Sequence, residues 1–247
     1  METVKFGSFY ADNIAQHSGV EIKGDHVLSL GDTVPGMEIQ WVHEGKMFVA
    51  DRCACLNVTH DQLFKPGGPA EMGKKVVSID GKPYRSGFVG NLWEPLVTAA
   101  AESGLPSMQV PDFWHCENAG FWTGTINAKS NPHMAEVIGL GEPSNMVFLD
   151  PGLLRQDIGY RPVLEALPEI PLDSKLKRKF INIHCKGGYL LTGWFQEATD
   201  YDITIKPRYD GPYGFPGSRD IGNGLSVIDR SIVLYVCQVD GRKRRTF

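Results

Sequence analysis

Short apolar runs, broken by Gly, Pro and Asp, fill the first part of the chain. Met37–His43 and Lys46–Ala50 are strand-like runs on either side of a Glu-Gly turn, which predicts a β-hairpin. Val27–Leu30 has the same extended character. Helical patterns occupy Asn57–Phe64 and Leu92–Glu102, the second with a proline in its first turn. The pattern therefore predicts an α+β protein that is mostly β.

The last part of the chain has a sharper strand pattern. Apolar residues alternate along Phe180–Phe195 around a Lys-Gly-Gly turn at Lys186–Gly188, and Gly193 falls in the second strand of this hairpin. Ile203–Lys206 and Val227–Val236 supply the strands that follow. Because a glycine suits a strongly bent strand, we predict a small five-stranded barrel here.

Charge divides the chain near a proline-rich stretch. Leu172–Phe247 contains 13 Lys and Arg against 8 Asp and Glu, a net charge of +5, and the whole chain has −4, so Met1–Pro171 has −9. Opposite charges predict two modules with different partners. We place an acidic domain at residues 1–168 and a basic domain at residues 172–247. A short helix capped by Asp173 or Ser174 is expected to open the basic domain.

Composition excludes several classes of protein. A chain of 247 residues with 42% hydrophobic content is a folded protein rather than a disordered adaptor. It has no apolar run of about 18 residues and no secretory signal, so we expect a cytoplasmic protein without a membrane partner. Its five cysteines are odd in number and dispersed, which predicts reduced thiols rather than a disulfide framework.

Four short motifs in the acidic domain carry a resemblance. They are Tyr84–Gly87, Asp112–His115, Phe121–Trp122 and Ile158–Glu165. Together they resemble the landmarks of C-type-lectin-fold domains, including retroelement variable proteins and formylglycine-generating-enzyme-like modules, over Gly31–Leu167. The family implies that the last motif is the final core strand and that the loops before it form a ligand-binding face.

The resemblance implies a ligand surface of rings, amides and acid groups. Flat rings supply contact area and amides fix orientation, which suits a small molecule, a glycan or a protein ligand. The expected residues are Trp114, His115, Glu117, Asn118, Phe121, Trp122, Asn127, Asn131 and His133. The alternative is that Trp114 and Trp122 fill the core. Formylglycine-generating chemistry needs paired cysteines near the substrate, and only Cys116 lies in this region, so that activity is not expected.

The basic domain resembles the Sm-like family, which includes Hfq-like bacterial RNA chaperones. The resemblance rests on Gly193 in the second strand, the acidic-aromatic step at Asp200–Tyr201, and Arg230–Ser231 within a segment similar to the second Sm signature. It implies that Tyr201 stacks on a base of single-stranded RNA and that Arg230 lies beside it. Lys186 and Lys206 are expected to line the approach.

Two further implications concern assembly and the alternative fold. Sm-like barrels usually pair edge strands into rings, so Leu234–Gln238 is an expected subunit contact in a homo-oligomer. An SH3-like barrel without an RNA role gives nearly the same strand pattern. A role as a phage or secretion assembly component, with the barrel as ring-former, is a third interpretation.

No residue pattern specifies catalysis, a metal or a cofactor. Cys53 and Cys55 share a strand face, but zinc needs two further ligands and His60 alone is too little. Adjacent His-Cys pairs at positions 115–116 and 184–185 point to opposite faces of a strand and form no dyad. We therefore expect a non-enzymatic recognition protein. The alternative is a hydrolase-type enzyme in the aromatic cleft at residues 112–133, with Asp112, His115 or Glu117 as acid or base.

Overall fold

The computed structural model describes residues 2–65, 68–70, 75–102, 114–115, 119–127, 129, 133–208 and 216–239. Backbone contacts divide the chain into two compact units, unit 1 (Met1–Leu167) and unit 2 (Pro168–Phe247). Strands dominate both units and only two short α-helices occur among the described residues, which confirms the mostly β class. None of the described helices has the length and apolar character needed to cross a membrane.

The described residues of unit 1 form fourteen strands and two α-helices. In chain order they are β1 (Glu2–Ala11), β2 (Ile14–Gln16), β3 (Val20–Glu21), β4 (Leu28–Gly31), β5 (Glu38–Glu44), β6 (Met47–Ala50), β7 (Cys55–Leu56), α1 (His60–Phe64), β8 (Lys75–Ile79), β9 (Lys82–Phe88), α2 (Trp93–Glu102), β10 (Gly120–Asn127), β11 (Met134–Ile138), β12 (Met146–Leu149), β13 (Ile158–Tyr160) and β14 (Pro162–Ala166). The predicted hairpin is confirmed as β5 and β6, and the two predicted helices as α1 and α2.

These strands form two sheets. The first has the order β2-β1-β5-β6-β14-β9-β8, with β4 also paired to β1, and the second has the order β12-β11-β10-β13-β7-β3. Their facing sides share one core, to which the first sheet contributes Phe9 and Trp41 and the second contributes Trp122 and Tyr160. A separate buried cluster forms around Trp93 at the start of α2.

Unit 2 is a single curled antiparallel sheet. Its strands are β15 (Phe180–Cys185), β16 (Leu190–Ala198), β17 (Asp202–Pro207), β18 (Ser218–Gly222), β19 (Leu225–Asp229) and β20 (Val233–Gln238). They pair in the order β18-β19-β17-β16-β15-β20. The described sheet therefore has six strands rather than the five predicted, because β18 forms within the connection that precedes β19.

The turns and core of unit 2 follow from local sequence. Lys186–Gly188 makes the predicted turn between β15 and β16. The expected opening helix is instead a single 3₁₀ turn, Ser174–Leu176, whose cap is Asp173. Gly193 lies in β16 where an added Cβ would be 2.5 Å from the Lys206 carbonyl oxygen, so this close strand contact requires glycine. The buried cluster that includes Ile183 and Phe195 belongs entirely to unit 2.

Candidate functional site

Three of the expected ligand-binding residues are core residues. The side chains of Trp114, Phe121 and Trp122 are each 0% exposed. Trp122 donates its indole N–H to the Val58 carbonyl oxygen at 2.7 Å, which satisfies the one polar atom of the ring inside the core. The expectation that these rings form a surface is therefore corrected. Their aromatic area stabilises unit 1 by burial instead.

Of the other six expected residues of this surface, three are exposed and three lie outside the described residues. His115, Asn127 and His133 are exposed. Asn127 ends β10 and pairs with Met134, the first residue of β11, and His133 immediately precedes Met134. Asn127 and His133 therefore lie at the same end of the β10–β11 pair. Glu117, Asn118 and Asn131 lie outside the described residues, as do Asp112 and Cys116.

His115 belongs to a cluster that sequence reasoning missed. Arg52 donates from Nε and Nη2 to the Asp51 carboxylate, at 3.0–3.3 Å, and Nη2 also lies 2.8 Å from His115 Nε2. Asp51 Oδ2 lies 3.4 Å from the same imidazole nitrogen. The Asp51 side chain is only 3% exposed, whereas Arg52 and His115 are each 43% exposed. A buried carboxylate thus holds two accessible side chains together.

The protonation of His115 follows from this contact. A guanidinium can only donate, so Nε2 accepts and the imidazole proton resides on Nδ1. Burial lowers the pKa of His115 below its ordinary value, and the charge of Arg52 lowers this pKa further. The ring is therefore neutral at pH 7, and its basic nitrogen is already occupied by Arg52. This geometry does not favour His115 as a general base.

Arg161 lies beneath this cluster and is fully buried. Its guanidinium carbon lies 4.9 Å from the Trp93 ring centroid, 4.8 Å from that of Phe121 and 5.8 Å from that of Trp114. Its Nη2 donates to the Trp114 carbonyl oxygen. Three aromatic faces surround the charge, and cation–π attraction offsets part of its desolvation cost.

Arg161 also fixes the backbone beside His115. The carbonyl that accepts its hydrogen bond belongs to the residue immediately before His115. His115 has φ +48°, in the left-handed region that costs a non-glycine residue about 1–2 kcal/mol. The surrounding contacts hold this conformation, and such conformations cluster at functional sites. The sequence contained one indication of this cluster, because Arg161 is a charged residue inside the mostly apolar motif Ile158–Glu165.

The structure brings together two of the four expected RNA-contact residues. The Arg230 amide donates to the Tyr201 carbonyl oxygen at 2.8 Å, and Arg230 Nη1 donates to the Thr199 carbonyl oxygen at 2.8 Å. The Tyr201 ring is 80% exposed. Both residues line a shallow depression of about 440 Å³, together with Asp200, Asp202, Asp229 and Ser231. Three carboxylates beside one Arg make this depression suitable for a ring contact but unfavourable for a phosphate.

The two expected lysines lie elsewhere on unit 2. Lys186 is exposed at the turn between β15 and β16. Lys206 is exposed on β17, directly opposite Trp194 of β16, whose ring is 40% exposed. Trp194 packs edge-on against Phe180 with 5.2 Å between ring centroids. Sequence reasoning missed Trp194, although its alternation with the buried Phe195 was visible.

The cysteines of the described residues are reduced thiols, and three of the four are buried. Cys53 and Cys55 are buried, and Cys53 Sγ donates to the Gly120 carbonyl oxygen at 3.6 Å. Burial raises the pKa of Cys55 well above its ordinary value and raises that of Cys185 to about 11. Within the described ranges, no group of three or more His, Cys, Asp or Glu side chains is arranged to hold a metal ion. Low thiolate character makes these thiols poor nucleophiles at neutral pH.

Comparison of the chain with known proteins gives no match. No protein-family model, no curated protein and no solved structure matches the chain.

Proposed function

We propose that the chain is a non-enzymatic recognition protein whose unit 2 contacts single-stranded RNA in the cytoplasm. The observation that carries the proposal is the exposed Trp194 ring with Lys206 directly opposite it on the neighbouring strand. A base can stack on such a ring whatever its identity, while the ammonium group attracts the phosphate beside that base.

The surface around Trp194 extends over two more strands. We call it the outer face and define it by Phe180, His184, Leu190, Trp194 and Lys206. These residues share one side of the sheet because Phe180 pairs with Trp194, His184 with Leu190, and Trp194 with Lys206. Side chains of paired residues point the same way. Successive rings along this face suit successive bases, and the positive charge of residues 172–247 favours an anionic strand.

Tyr201 provides a second ring contact in this proposal. Its exposure suits stacking, but the carboxylates of Asp200, Asp202 and Asp229 surround it. We therefore assign a base to Tyr201 and assign the phosphates to Lys206 and Lys186. Arg230 then acts mainly to hold the turn, since its guanidinium donates to the Thr199 carbonyl oxygen.

The proposal assigns unit 1 to C-type-lectin-like domains and unit 2 to Sm-like barrels. The second assignment is supported by strand order, because β15 lies between β16 and β20 and the last strand thus returns beside the first. It is also supported by the glycine at position 193 in a closely packed strand. Support for the first assignment is the pairing of β13, within the Gly-Tyr-Arg-Pro segment, at the centre of the second sheet of unit 1.

The experiment measures fluorescence anisotropy of an end-labelled single-stranded oligouridine RNA over a series of salt concentrations, using the full chain. Trp194→Ala is expected to weaken binding about 5- to 150-fold, the effect of one stacked base. Lys206→Gln is expected to reduce the slope of log K against log salt by about 0.7, the value for one phosphate on a single strand. Tyr201→Ala should weaken binding at every salt concentration without changing this slope.

Lys46→Gln is the matched control, because it removes one exposed positive charge from unit 1. Trp194→Phe is the second control, since it keeps a ring at the same position. Equal losses in Lys46→Gln and Lys206→Gln would show that binding follows net charge alone and would refute the assigned surface. Absence of binding by the unmodified chain at low salt would refute the proposal itself.

The same proposal includes a homo-oligomer that forms through β20. In the described part of unit 2, β20 is the last strand of the sheet and pairs along one edge with β15. Its other edge offers backbone N–H and C=O groups to a second copy. Light scattering on the full chain is expected to give a mass several times that of one chain. Gln238→Pro, which removes a backbone donor from the free edge of β20 and leaves the pairing with β15 intact, should reduce that mass. A monomer at all concentrations would contradict this part.

A further inference from the structure

We propose that Asp51, Arg52, His115 and Arg161 form a binding site in unit 1 for an oxyanion, namely the carboxylate or phosphate group of a small ligand. The inference is independent of RNA binding by unit 2, because every residue of the site belongs to unit 1. It rests on where the chain places these residues, on their free hydrogen-bonding groups and on their charge.

The site lies where the chain passes between the two sheets of unit 1. The four residues 51–54 connect β6 of the first sheet to β7 of the second. Arg161 is the one residue between β13 of the second sheet and β14 of the first. The two crossings are joined, since the Ala54 amide donates to the Tyr160 carbonyl oxygen at 2.8 Å. Rigid strands thus hold Asp51, Arg52 and Arg161, as a preorganised site requires.

The groups of this cluster that remain available for hydrogen bonds to a ligand are donors. Both oxygens of Asp51 accept from Arg52, and His115 Nε2 also accepts from Arg52. Among the described residues, that arrangement leaves the Nη1 group of Arg52 and the Nδ1–H of His115 as donors, on side chains that are each 43% exposed. Within the described ranges, Arg161 Nε and Nη1 are buried without a hydrogen-bond partner. The Asp51 carboxylate is only 3% exposed, so the groups that a ligand can reach here are donors. Donors select a ligand group that only accepts, which is an oxyanion.

Charge favours the same ligand. The Asp51 carboxylate compensates Arg52, and His115 is neutral, so Arg161 is the unbalanced charge of the cluster. None of the described carboxylates forms an ion pair with Arg161, whose guanidinium faces aromatic rings instead. A buried cation without a counter-ion is costly, and an anion bound to Arg52 and His115 would relieve that cost from the accessible side. The field of Arg161 does extend to His115, where it contributes to the lowered pKa.

The experiment titrates the full chain by isothermal calorimetry with inorganic phosphate in one arm and acetate in the other, in a buffer without other multivalent anions. If only phosphate gives saturable heat, the ligand group is a phosphate. If only acetate gives saturable heat, the ligand group is a carboxylate. Arg52→Gln and His115→Gly are each expected to weaken binding by about tenfold to a hundredfold, because the first removes a charge-assisted donor and the second a polar donor. Glycine adopts the left-handed backbone that position 115 requires without strain.

Arg85→Gln is the matched control. Arg85 is an exposed arginine of unit 1 that is also paired with a carboxylate, that of Glu165. Arg161→Lys keeps the charge but removes the planar fork, and it should weaken binding even where circular dichroism shows a native fold. No saturation with either anion would overturn the proposal. Equal weakening in Arg85→Gln and Arg52→Gln would also overturn it, since binding would then follow overall charge.

Discussion

Gly159 occupies a place where any side chain would collide with the neighbouring strand. An added Cβ would lie 2.1 Å from the Cys55 carbonyl oxygen and 2.8 Å from Leu56 Cδ2. The carbonyl belongs to β7, which pairs directly with β13, so it cannot retreat without breaking that pair. Arg161 follows only two residues later, and its place under His115 depends on the same close approach of strands.

Replacing Gly159 by alanine is therefore expected to lower the free energy of unfolding by about 1–3 kcal/mol, the usual cost of overpacking. Gly124→Ala is the control. Its Cβ would meet Phe88 Cδ2 at 3.5 Å, an ordinary contact, so its effect should stay within about 0.5 kcal/mol. Urea unfolding of both variants measures the difference. Equal effects would mean that the contact with β7 is less rigid than the strand pairing indicates.

His60 gives unit 1 a pH-dependent stability. The ring is buried and stacked on Phe64 and Phe88, with centroids 5.1 and 5.7 Å away. Burial lowers the pKa of His60 below its ordinary value of 6.5. The unfolded chain therefore takes up a proton near pH 6.5 while the folded chain does not. The contribution to stability is complete above that pH and is lost as pH falls from there toward the lower folded pKa.

His60→Phe should remove this dependence, because phenylalanine keeps the stacked ring and has no proton to bind. We expect the free energy of unfolding of the unmodified chain to fall below pH 6.5 with a slope of up to about 1.4 kcal/mol per pH unit from this residue. The variant should show a shallower slope over the same range. Urea unfolding at a series of pH values tests this, and identical slopes in both proteins would assign the dependence to other groups.

At the scale of elements, what the sequence predicts depends on how local the signal is. The hairpin of β5 and β6 and the helices α1 and α2 were predictable because alternation, turns and caps lie within a few residues. The short strands β7 and β13 carry no such signal. They form by pairing residues 55–56 with residues 159–160, more than a hundred positions apart, and only the assembled sheet stabilises them.

The residues of the candidate sites were likewise predictable only where a local pattern or a family resemblance pointed to them. Tyr201 and Arg230 were predictable as neighbours through a family resemblance that already assumes a fold. The contact between Asp51 and His115 was not predictable, because 64 positions separate the two residues and neither position has a distinctive local pattern. Trp114 was assigned to a surface because rings among amides resemble a pocket, yet such rings also fill a core, and burial decides between the two.

Helix α1 has a capping box that a single substitution can test. Thr59 accepts from the Gln62 amide at 3.0 Å, and the Gln62 side chain accepts from the Thr59 amide at 2.9 Å. Thr59→Ala is expected to lower the free energy of unfolding by about 1 kcal/mol, because a five-residue helix has few other hydrogen bonds. Thr59→Ser retains the hydroxyl and should lose less. If serine destabilised as much as alanine in urea unfolding, the lost methyl packing would be the cause instead.

At the scale of the whole molecule, charge and core divide the chain at the same place. The net charges of −9 and +5 belong to residues 1–171 and 172–247. The buried cluster of unit 2 draws every member from Leu176 to Val236, and the clusters of unit 1 draw theirs from residues before Leu167. Among the described residues, each unit thus has a buried core drawn from its own part of the chain, as independently folding domains do.

Separate cores predict separate unfolding. Phe195 is 1% exposed in the core of unit 2, and Phe195→Ala is expected to cost that unit about 3–5 kcal/mol. Trp41→Ala should impose a similar loss on unit 1, where Trp41 is fully buried. Calorimetry of the full chain should show two transitions, of which each variant shifts only one. A fragment of residues 168–247 should keep the dispersed amide resonances of a folded sheet. A single transition that moves in both variants would contradict separate unfolding of the two units.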